Sequence, residues 1–323
     1  MSEKPLLAVI IPLADHRGWA VRCIESFSQC QTVPRDRFRL IVVAGPGEDP
    51  QIVAGVRELL TDADLLFASA QENLHAMYNE AAAIADCPWL LMTESHCLAE
   101  PNCVAALLER IACDDAELVS CASVGENANS FAALEQRLFE EAWVERSQRG
   151  AGGGVVIRGF AIRRESFLGV GGFATQFGHF AELLLGARLA DAHARATHAP
   201  EAVVRHGNTS RRADLAPSLR DYGRGEIACR NALPVTYCET RFGVCHAWRR
   251  AQTESRFRTH LRLFGARLEL AWAMTCFWAT WPIARLRFAA FRRLWQRLLR
   301  LGRAEALAQA AGERQALPLR QAA

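Results

Sequence analysis

A carboxylate and an imidazole stand two positions apart where a short apolar run ends. Residues 89–92 are apolar and predict a buried strand, and the polar cluster that follows contains Glu94 and His96. In an extended segment, residues i and i+2 point to the same side, so both side chains could face one ligand. Oxygen and nitrogen donors suit a divalent cation such as Mn²⁺ or Mg²⁺, to which a diphosphate could bridge. The alternative is that both are solvated loop residues.

The elements that must position this pair alternate along the first third of the chain. Strands are predicted at residues 6–12, 38–44, 64–68 and 89–92, and helices at 19–30, 52–60 and 74–85. This alternation predicts an α/β fold with a mostly parallel sheet flanked by helices. In such sheets ligands bind at the carboxyl ends of the strands, where Glu94 and His96 stand.

The next part of the chain continues with shorter patterns. Strands are predicted at residues 118–123 and 155–162, an edge strand at 197–204, and helices at 104–111, 132–148 and 183–190. The glycine-rich residues 150–154 lack the Gly-Lys-Ser/Thr of a P-loop, so we expect a mobile loop over the site. Glu182 precedes the last helix, where the macrodipole favours its charged form. It is a candidate general base, or an ordinary acidic residue at a helix start.

Several short motifs follow one another between residues 6 and 232. They are a first strand with Pro12 and Asp15, a helical Asn79, the Glu94-Ser95-His96 cluster, a Gly-Gly-Phe turn at 171–173 followed by Glu182, and a segment 200–206 that ends at His206. In their order and spacing, the chain resembles the family 2 glycosyltransferases of the GT-A fold.

The resemblance implies transfer of a sugar from a nucleotide diphosphate sugar to an acceptor hydroxyl, with inversion. Glu182 occupies the position of the catalytic base of inverting members. Glu94 and His96 stand where the family has its Asp-x-Asp metal motif, and His206 matches a histidine that completes the metal site. The residues implied in nucleotide-sugar binding are Pro12, Asp15, Asn79 and Glu94.

Composition bounds the remaining possibilities. The chain has 323 residues, half of them hydrophobic, a net charge of +3, and 11 cysteines without a CxxC pair. These scattered cysteines argue against a disulfide framework and a zinc ribbon, and favour buried thiols in a reducing cytosol. The N-terminus lacks the pattern of a signal peptide, so we expect a cytoplasmic protein.

A basic, aromatic segment follows the region of resemblance. Residues 249–303 are rich in Arg, and residues 270–284 are uncharged, contain three Trp and are interrupted by Pro282. This run is too short to span a bilayer, which takes about 20 apolar residues. It suits helices lying on an anionic membrane, peripherally on the inner face, or a helical hairpin packed on the catalytic domain or on a dimer partner. Nucleic-acid binding is not expected, since no motif for it accompanies the basic residues.

We therefore expect three parts: a nucleotide-sugar and acceptor domain at residues 1–240, a helical extension at 241–303, and a tail at 304–323 that is frayed or helical. The leading hypothesis is an inverting hexosyltransferase in cell-envelope, polysaccharide or glycolipid synthesis. Its acceptor could be a lipid carrier, a polysaccharide or a small molecule. The alternative is a catalytically silent nucleotide-sugar-binding module or a membrane-surface scaffold, because Glu94-Ser95-His96 and Ala181-Glu182 depart from the family's acidic pairs.

Overall fold

The computed structural model describes residues 5–113, 115–147 and 155–321. The chain divides into two compact units, one of residues 1–175 and 182–210, the other of residues 176–181 and 211–323. The glycine-rich loop predicted at residues 150–154 lies outside the described residues. The division into three parts at residues 240 and 303 stays a prediction.

The first unit begins with the predicted alternation of strands and helices. Its opening elements are β1 (Leu7–Leu13), α1 (Ala20–Ser28), β2 (Phe38–Ala44), α2 (Pro50–Arg57), β3 (Leu65–Ala68), α3 (Leu74–Ile84) and β4 (Trp89–Met92). Both β1 and β4 are buried along their whole length, as expected of strands covered on both faces. Pro12 was expected to end β1, but the strand continues to Leu13. It tolerates Pro12 because its pairing with β4 ends at Ile10.

The remaining elements of this unit depart more from expectation. They are β5 (Cys97–Ala99), α4 (Cys103–Cys113), β6 (Leu118–Glu126), α5 (Ser130–Ser147), β7 (Phe160–Arg163), α6 (Arg164–Gly169), α7 (Ala181–Asp191) and β8 (Ala196–Gly207). The short β5 and α6 were not predicted. The strand expected at residues 155–162 begins only at Phe160, since Gly159 and the residues before it form a turn.

The eight strands in the part of the chain that the structure describes form one sheet, in the order β3-β2-β1-β4-β7-β6-β8-β5. The pairs β1–β2, β1–β4, β2–β3 and β6–β8 are parallel, whereas β4–β7, β6–β7 and β5–β8 are antiparallel. The prediction of a mostly parallel sheet is therefore wrong. The fold is α/β, with a mixed parallel and antiparallel sheet flanked by helices. The apolar runs predicted strands buried on both faces, but such a run carries no information about strand direction.

The position of β8 also differs from the prediction. It was expected to be an edge strand, yet it lies between β6 and β5. Its register with β6 jumps from the pair Cys121 and Ala199 to the pair Ala122 and Val203, so residues 200–202 have no partner in β6. Pro200 lies in this irregular stretch, where a missing backbone N–H costs no ladder hydrogen bond.

The second unit is helical. After residues 176–181 it comprises α8 (Arg212–Ala232), α9 (Val235–Phe242), α10 (His246–Ala251), α11 (Arg256–Thr280) and α12 (Ala284–Gln321). The break between α11 and α12 contains Pro282, as predicted. Helix α12 runs through most of the expected tail.

Helices α11 and α12 form an antiparallel hairpin. The rings of Phe277 and Phe291 lie 6.3 Å apart near the turn, and Glu269 pairs with Arg300 at 2.7 Å further along. Helix α12 also packs closely on α8 at Gly302, where a Cβ would overlap the carbonyl oxygen of Arg220. The hairpin is therefore packed within the second unit, through contacts between its own helices and with α8. Whether it also lies on a membrane, on the catalytic domain or on a dimer partner stays a prediction.

One face of α11 remains exposed. Its apolar side chains recur at helical spacing and are 56–76% exposed: Phe257, Leu261, Phe264, Leu268 and Trp272. We call these five residues the α11 stripe. Among the described residues, none of the helices combines the length and the apolar character needed to cross a membrane.

Candidate functional site

The segment after β4 is a tight turn held from three sides. Cys97 N–H donates to Glu94 O at 3.0 Å, which closes the turn. Tyr78 Oη donates to Thr93 O at 2.7 Å, and Ser95 Oγ donates to Ala14 O at 3.1 Å. The extended conformation assumed from the sequence is therefore wrong. The turn nonetheless brings the side chains two positions apart together.

Strand β8 brings a second histidine to this turn. The antiparallel pair of β5 and β8 sets Cys97 opposite His206, and Gly207 N–H donates to His96 O at 2.9 Å. Strand β8 is hydrogen-bonded to β5 on one side and to β6 on the other. The position of His206 is therefore fixed by the sheet rather than by a loop.

Three donor atoms meet at this point. His96 Nε2 and His206 Nε2 lie 3.1 Å apart, and Glu94 Oε2 lies 3.5 Å from each of them. Both histidines are buried, and the Glu94 side chain is 16% exposed. The structure thus brings together the three residues that were predicted as metal ligands.

The imidazole of His206 is oriented by a neighbouring amide. His206 Nδ1 lies 2.8 Å from Asn208 Oδ1. Since an amide oxygen only accepts, Nδ1 carries the proton and Nε2 presents its lone pair towards His96 and Glu94. A partner of this kind behind a histidine is typical of metal-binding imidazoles.

Both imidazoles are neutral at ordinary pH. Burial lowers the pKa of His96 well below its usual value against an opposing effect of Glu94, and His206 and Arg17 lower it further. Burial also lowers the pKa of His206, together with the charges of Arg158 and Arg17. A neutral imidazole is the form that binds a metal, so the donor set fits a divalent cation.

Cys97 adds a sulfur atom to the cluster. Its Sγ, a carboxylate oxygen of Glu94 and a ring nitrogen of His206 all lie within 4.8 Å of one another. Burial and the charge of Glu94 raise the pKa of the Cys97 thiol to about 12. From its sequence context, Cys97 was expected only to be a buried thiol.

A buried polar network lies behind His206. Arg158 donates to Asn208 Oδ1 at 3.1 Å and to Gln136 Oε1 at 3.0 Å, and it lies 3.6 Å from Glu135. Thr209 N–H donates to Glu135 Oε2 at 2.9 Å. Burial lowers the pKa of Arg158 and raises that of Glu135. None of these residues was predicted, because they belong to no short motif and meet only through the fold.

Asp15 lies at the surface rather than in the cluster. Its side chain is 67% exposed and pairs with Arg17 at 2.8 Å. Arg17 in turn donates to Gly207 O, and its charge acts on both histidines. Of the Asp15–Arg17 pair, it is therefore the guanidinium of Arg17 whose charge acts on the histidines of the cluster. Pro12 is buried in β1, as described above.

Asn79 holds a turn with its whole amide. Its Nδ2 donates to Phe173 O and its Oδ1 accepts from Phe173 N–H, both at 2.9 Å. Gly172 adopts a φ of +60°, and a Cβ there would lie 2.6 Å from Asn79 Oδ1. The Gly-Gly-Phe turn thus needs glycine both for its conformation and for the approach of Asn79.

Glu182 lies in the first turn of α7, as predicted. Its Oε1 is 3.8 Å from His75 Nε2, and its side chain is 19% exposed. Burial raises the pKa of Tyr78 well above its usual value, and the charges of both Glu94 and Glu182 raise it further. The two carboxylates therefore lie within electrostatic range of the same phenol.

Comparison with known proteins concerns the fold. No family model and no curated protein matches the chain. Among solved structures, it is similar to the mannosyltransferase PcManGT from Pyrobaculum calidifontis in complex with GDP-Man and Mn²⁺, with a TM-score of 0.64 and 16% identity over 95% of this chain and 88% of that one. For TarS of S. aureus the TM-score is 0.49, with 14% identity over 73% of this chain and 42% of that one. The chain thus has a fold similar to that of a mannosyltransferase.

Proposed function

We propose that this chain is an inverting glycosyltransferase of family 2 and the GT-A fold. It transfers a hexosyl unit from a nucleotide diphosphate sugar to an acceptor hydroxyl. The observation that carries the proposal is the convergence of Glu94, His96 and His206 at the ends of β4 and β8. The likeness in fold to a mannosyltransferase that binds GDP-Man and Mn²⁺ supports it.

Glu94, His96 and His206 would hold a divalent cation, for which the sequence suggested Mn²⁺ or Mg²⁺. Such an ion neutralises the charge that develops on a leaving diphosphate. Arg17 lies beside the cluster and offers a second positive charge for the same purpose. The buried network behind His206 keeps the imidazole in place while the diphosphate binds.

Glu182 acts as the general base that accepts the proton of the acceptor hydroxyl. Its carboxylate is partly exposed, which an acceptor requires, and it lies in the first turn of α7. Asn79 is a positioning residue in this proposal: it fixes the turn at Phe173 that comes before α7.

The experiment that tests the function is a transfer assay on the purified full chain. GDP-, UDP- and dTDP-sugars are incubated with lipid-phosphate, oligosaccharide and small-molecule acceptors, with Mn²⁺ or Mg²⁺. Release of nucleotide diphosphate that depends on the acceptor supports the proposal, and NMR of the product gives the anomeric configuration. Retention of configuration would contradict the role of Glu182.

We further propose that the chain works at the inner, anionic face of a membrane, in cell-envelope synthesis. The α11 stripe supplies apolar side chains, and exposed arginines accompany it on the hairpin: Arg256, Arg258, Arg267, Arg285, Arg292 and Arg293. Apolar side chains beside cations suit the boundary between acyl chains and anionic headgroups.

A second candidate is a nucleotide-sugar-binding module without turnover. Two substitutions favour it: Glu94-Ser95-His96 where the family has Asp-x-Asp, and Ala181-Glu182, which leaves one acid. Binding of a donor in a thermal-shift screen, without transfer or hydrolysis in the assay above, would support this candidate instead.

A further inference from the structure

The donor atoms of the cluster differ in kind from those that hold hard cations. Glu94 and His206 share the imidazole nitrogen of His96 as one neighbour, and the thiol sulfur of Cys97 as another within 4.8 Å. Mg²⁺ prefers oxygen ligands and retains much of its water. Imidazole and thiolate ligands instead suit Zn²⁺ and other late first-row ions, which bind nitrogen and sulfur more tightly than Mn²⁺ does.

The local charge also disfavours a hard cation. Glu94 brings the negative charge of the cluster, whereas the guanidiniums of Arg17 and Arg158 act electrostatically on the buried His206. Asp15 pairs with Arg17 at the surface, and Glu135 accepts from Thr209 N–H and faces Arg158. A cation bound mainly through negative charge would gain little here. Neutral imidazole ligands do not depend on a negative charge, and they bind late first-row ions more tightly than they bind Mn²⁺.

The nitrogen ligands are held in place by protein contacts alone. Asn208 is buried, receives the Nδ1 proton of His206, and is itself fixed by Arg158, Gln136 and Asn127. The His96 backbone is bonded to Gly207 across the sheet. The Nε2 lone pair of His206 is therefore directed at the cluster before any ion arrives.

We propose that Glu94, His96, Cys97 and His206 form a site selective for a borderline transition-metal ion, of the class of Zn²⁺ and Co²⁺, over Mg²⁺. This inference rests on the metal site of the proposed function and deepens it, because it names the class of ion and adds Cys97 as a ligand. Asn208 is the positioning residue of His206.

The test is direct binding to the full chain, freed of metal and of any affinity tag. Titration calorimetry with Zn²⁺, Co²⁺, Mn²⁺ and Mg²⁺ is expected to show Zn²⁺ and Co²⁺ binding at least about 100-fold more tightly than Mg²⁺. The absorption spectrum of the Co²⁺ complex should include a sulfur-to-cobalt charge-transfer band that Cys97→Ser abolishes. Equal or tighter binding of Mg²⁺, or a spectrum without that band, would overturn the proposal.

Variants assign the signal to this site. His206→Gln should abolish tight Zn²⁺ binding, and Asn208→Leu should weaken it about 10- to 100-fold. Two exposed residues serve as controls, His193→Asn and Cys113→Ser, and both should leave binding unchanged. If a control variant lost Zn²⁺ binding, or if His206→Gln kept it, Zn²⁺ would be binding adventitiously elsewhere. The wild-type ion preference needs no variant, so the test survives if one fails to fold.

The outcomes separate this inference from the function. Tight Zn²⁺ binding without sugar transfer would leave the site standing and remove the glycosyltransferase. Sugar transfer by a protein that binds Mg²⁺ as tightly as Zn²⁺ would support the glycosyltransferase and overturn the proposed ion selectivity.

Discussion

His96 Nε2 and His206 Nε2 lie 3.1 Å apart, although the two residues are separated by 110 positions in the chain. The three residues of β5 cause this approach, because they pair with the end of β8 immediately after the turn at Glu94. A strand this short contributes little stability of its own. Its effect is to hold two rings in contact.

Replacing Glu182 tests the base. Glu182→Gln keeps the size and polarity of the side chain but removes its ability to accept a proton. We expect kcat to fall about 100- to 10,000-fold, with donor affinity unchanged. Steady-state kinetics and calorimetry with the donor give the two numbers. Glu201→Gln, at an exposed position of β8, is the control that should match wild type. Near-normal kcat in the Glu182 variant would remove it from the mechanism.

Replacing Asn79 tests its structural role against the nucleotide-binding role that the resemblance implied. Asn79→Ala removes both hydrogen bonds to the buried Phe173 backbone. We therefore expect the free energy of unfolding, measured by urea titration, to fall by about 1–3 kcal/mol. Asn79→Asp keeps the acceptor for Phe173 N–H but sets a carboxylate oxygen against Phe173 O, so we expect it to destabilise the fold as well. A higher KM for the donor at unchanged stability would instead support direct binding.

Asp64 should make stability depend on pH. Burial favours the neutral acid, but hydrogen bonds from Leu40 N–H, Thr61 N–H and Arg35 outweigh it, so the pKa of Asp64 is lowered. A lowered folded pKa means that the carboxylate stabilises the fold above its unfolded pKa of about 3.9, and that this contribution is lost as the pH falls through the folded pKa.

Asp64→Asn should therefore destabilise the chain at pH 7, and the gap to wild type should narrow below about pH 4. Urea unfolding at a series of pH values measures it. Asp62→Asn, two residues away and exposed, is the control: its free energy of unfolding should change with pH as that of wild type does. A gap for Asp64→Asn that stays constant down to about pH 3 would show that its charge does not matter.

The α11 stripe should determine membrane binding. Phe264→Ser combined with Trp272→Ser removes two large exposed apolar groups, and we expect at least about tenfold weaker binding to phosphatidylglycerol vesicles in cosedimentation. Val235→Ser, exposed on α9, is the control. Wild-type binding should fall with added salt and on phosphatidylcholine vesicles. Equal binding of the double variant and wild type would remove the stripe as a membrane contact.

Gly302 should be intolerant of any side chain. Gly302→Ala places a methyl group against the Arg220 carbonyl oxygen, so α8 and α12 must separate, at a cost of about 1–3 kcal/mol. Gly265 lies inside α11, and a methyl group added there would meet no heavy atom within 4 Å. Gly265→Ala should raise stability by about 0.5–1 kcal/mol. Thermal unfolding of both variants checks the contrast.

The sequence was most informative where burial is continuous. Strands β2 and β4 have the bounds predicted for them, because uninterrupted apolar residues are needed in strands covered on both faces. Strand β7 was predicted to start too early, and its antiparallel direction was not predictable because a short apolar run carries no information about direction. The three residues of β5 were missed because their pattern is too short to carry a period.

The site was predictable only in part. Glu94 and His96 were recognisable from their spacing, and His206 from a resemblance. Cys97 follows His96 directly, so its proximity was a usable signal. Arg158 and Asn208 belong to different segments and meet through the pairing of distant strands, which no local pattern encodes.

The irregular stretch of β8 decides which side of the sheet carries His206. Ala199 and Val204 both lie in the same hydrophobic core although they are five positions apart, an odd interval that a regular strand would send to opposite faces. Residues 200–202 have no partner in β6, and they shift the alternation of side chains so that Val204 returns to the core face. His206 follows Val204 by two positions and therefore lies on the same face. Deleting or inserting one residue here would turn the His206 imidazole away from Glu94 without altering any residue of the site. The proposed metal site therefore depends on the number of residues in this irregular stretch of β8.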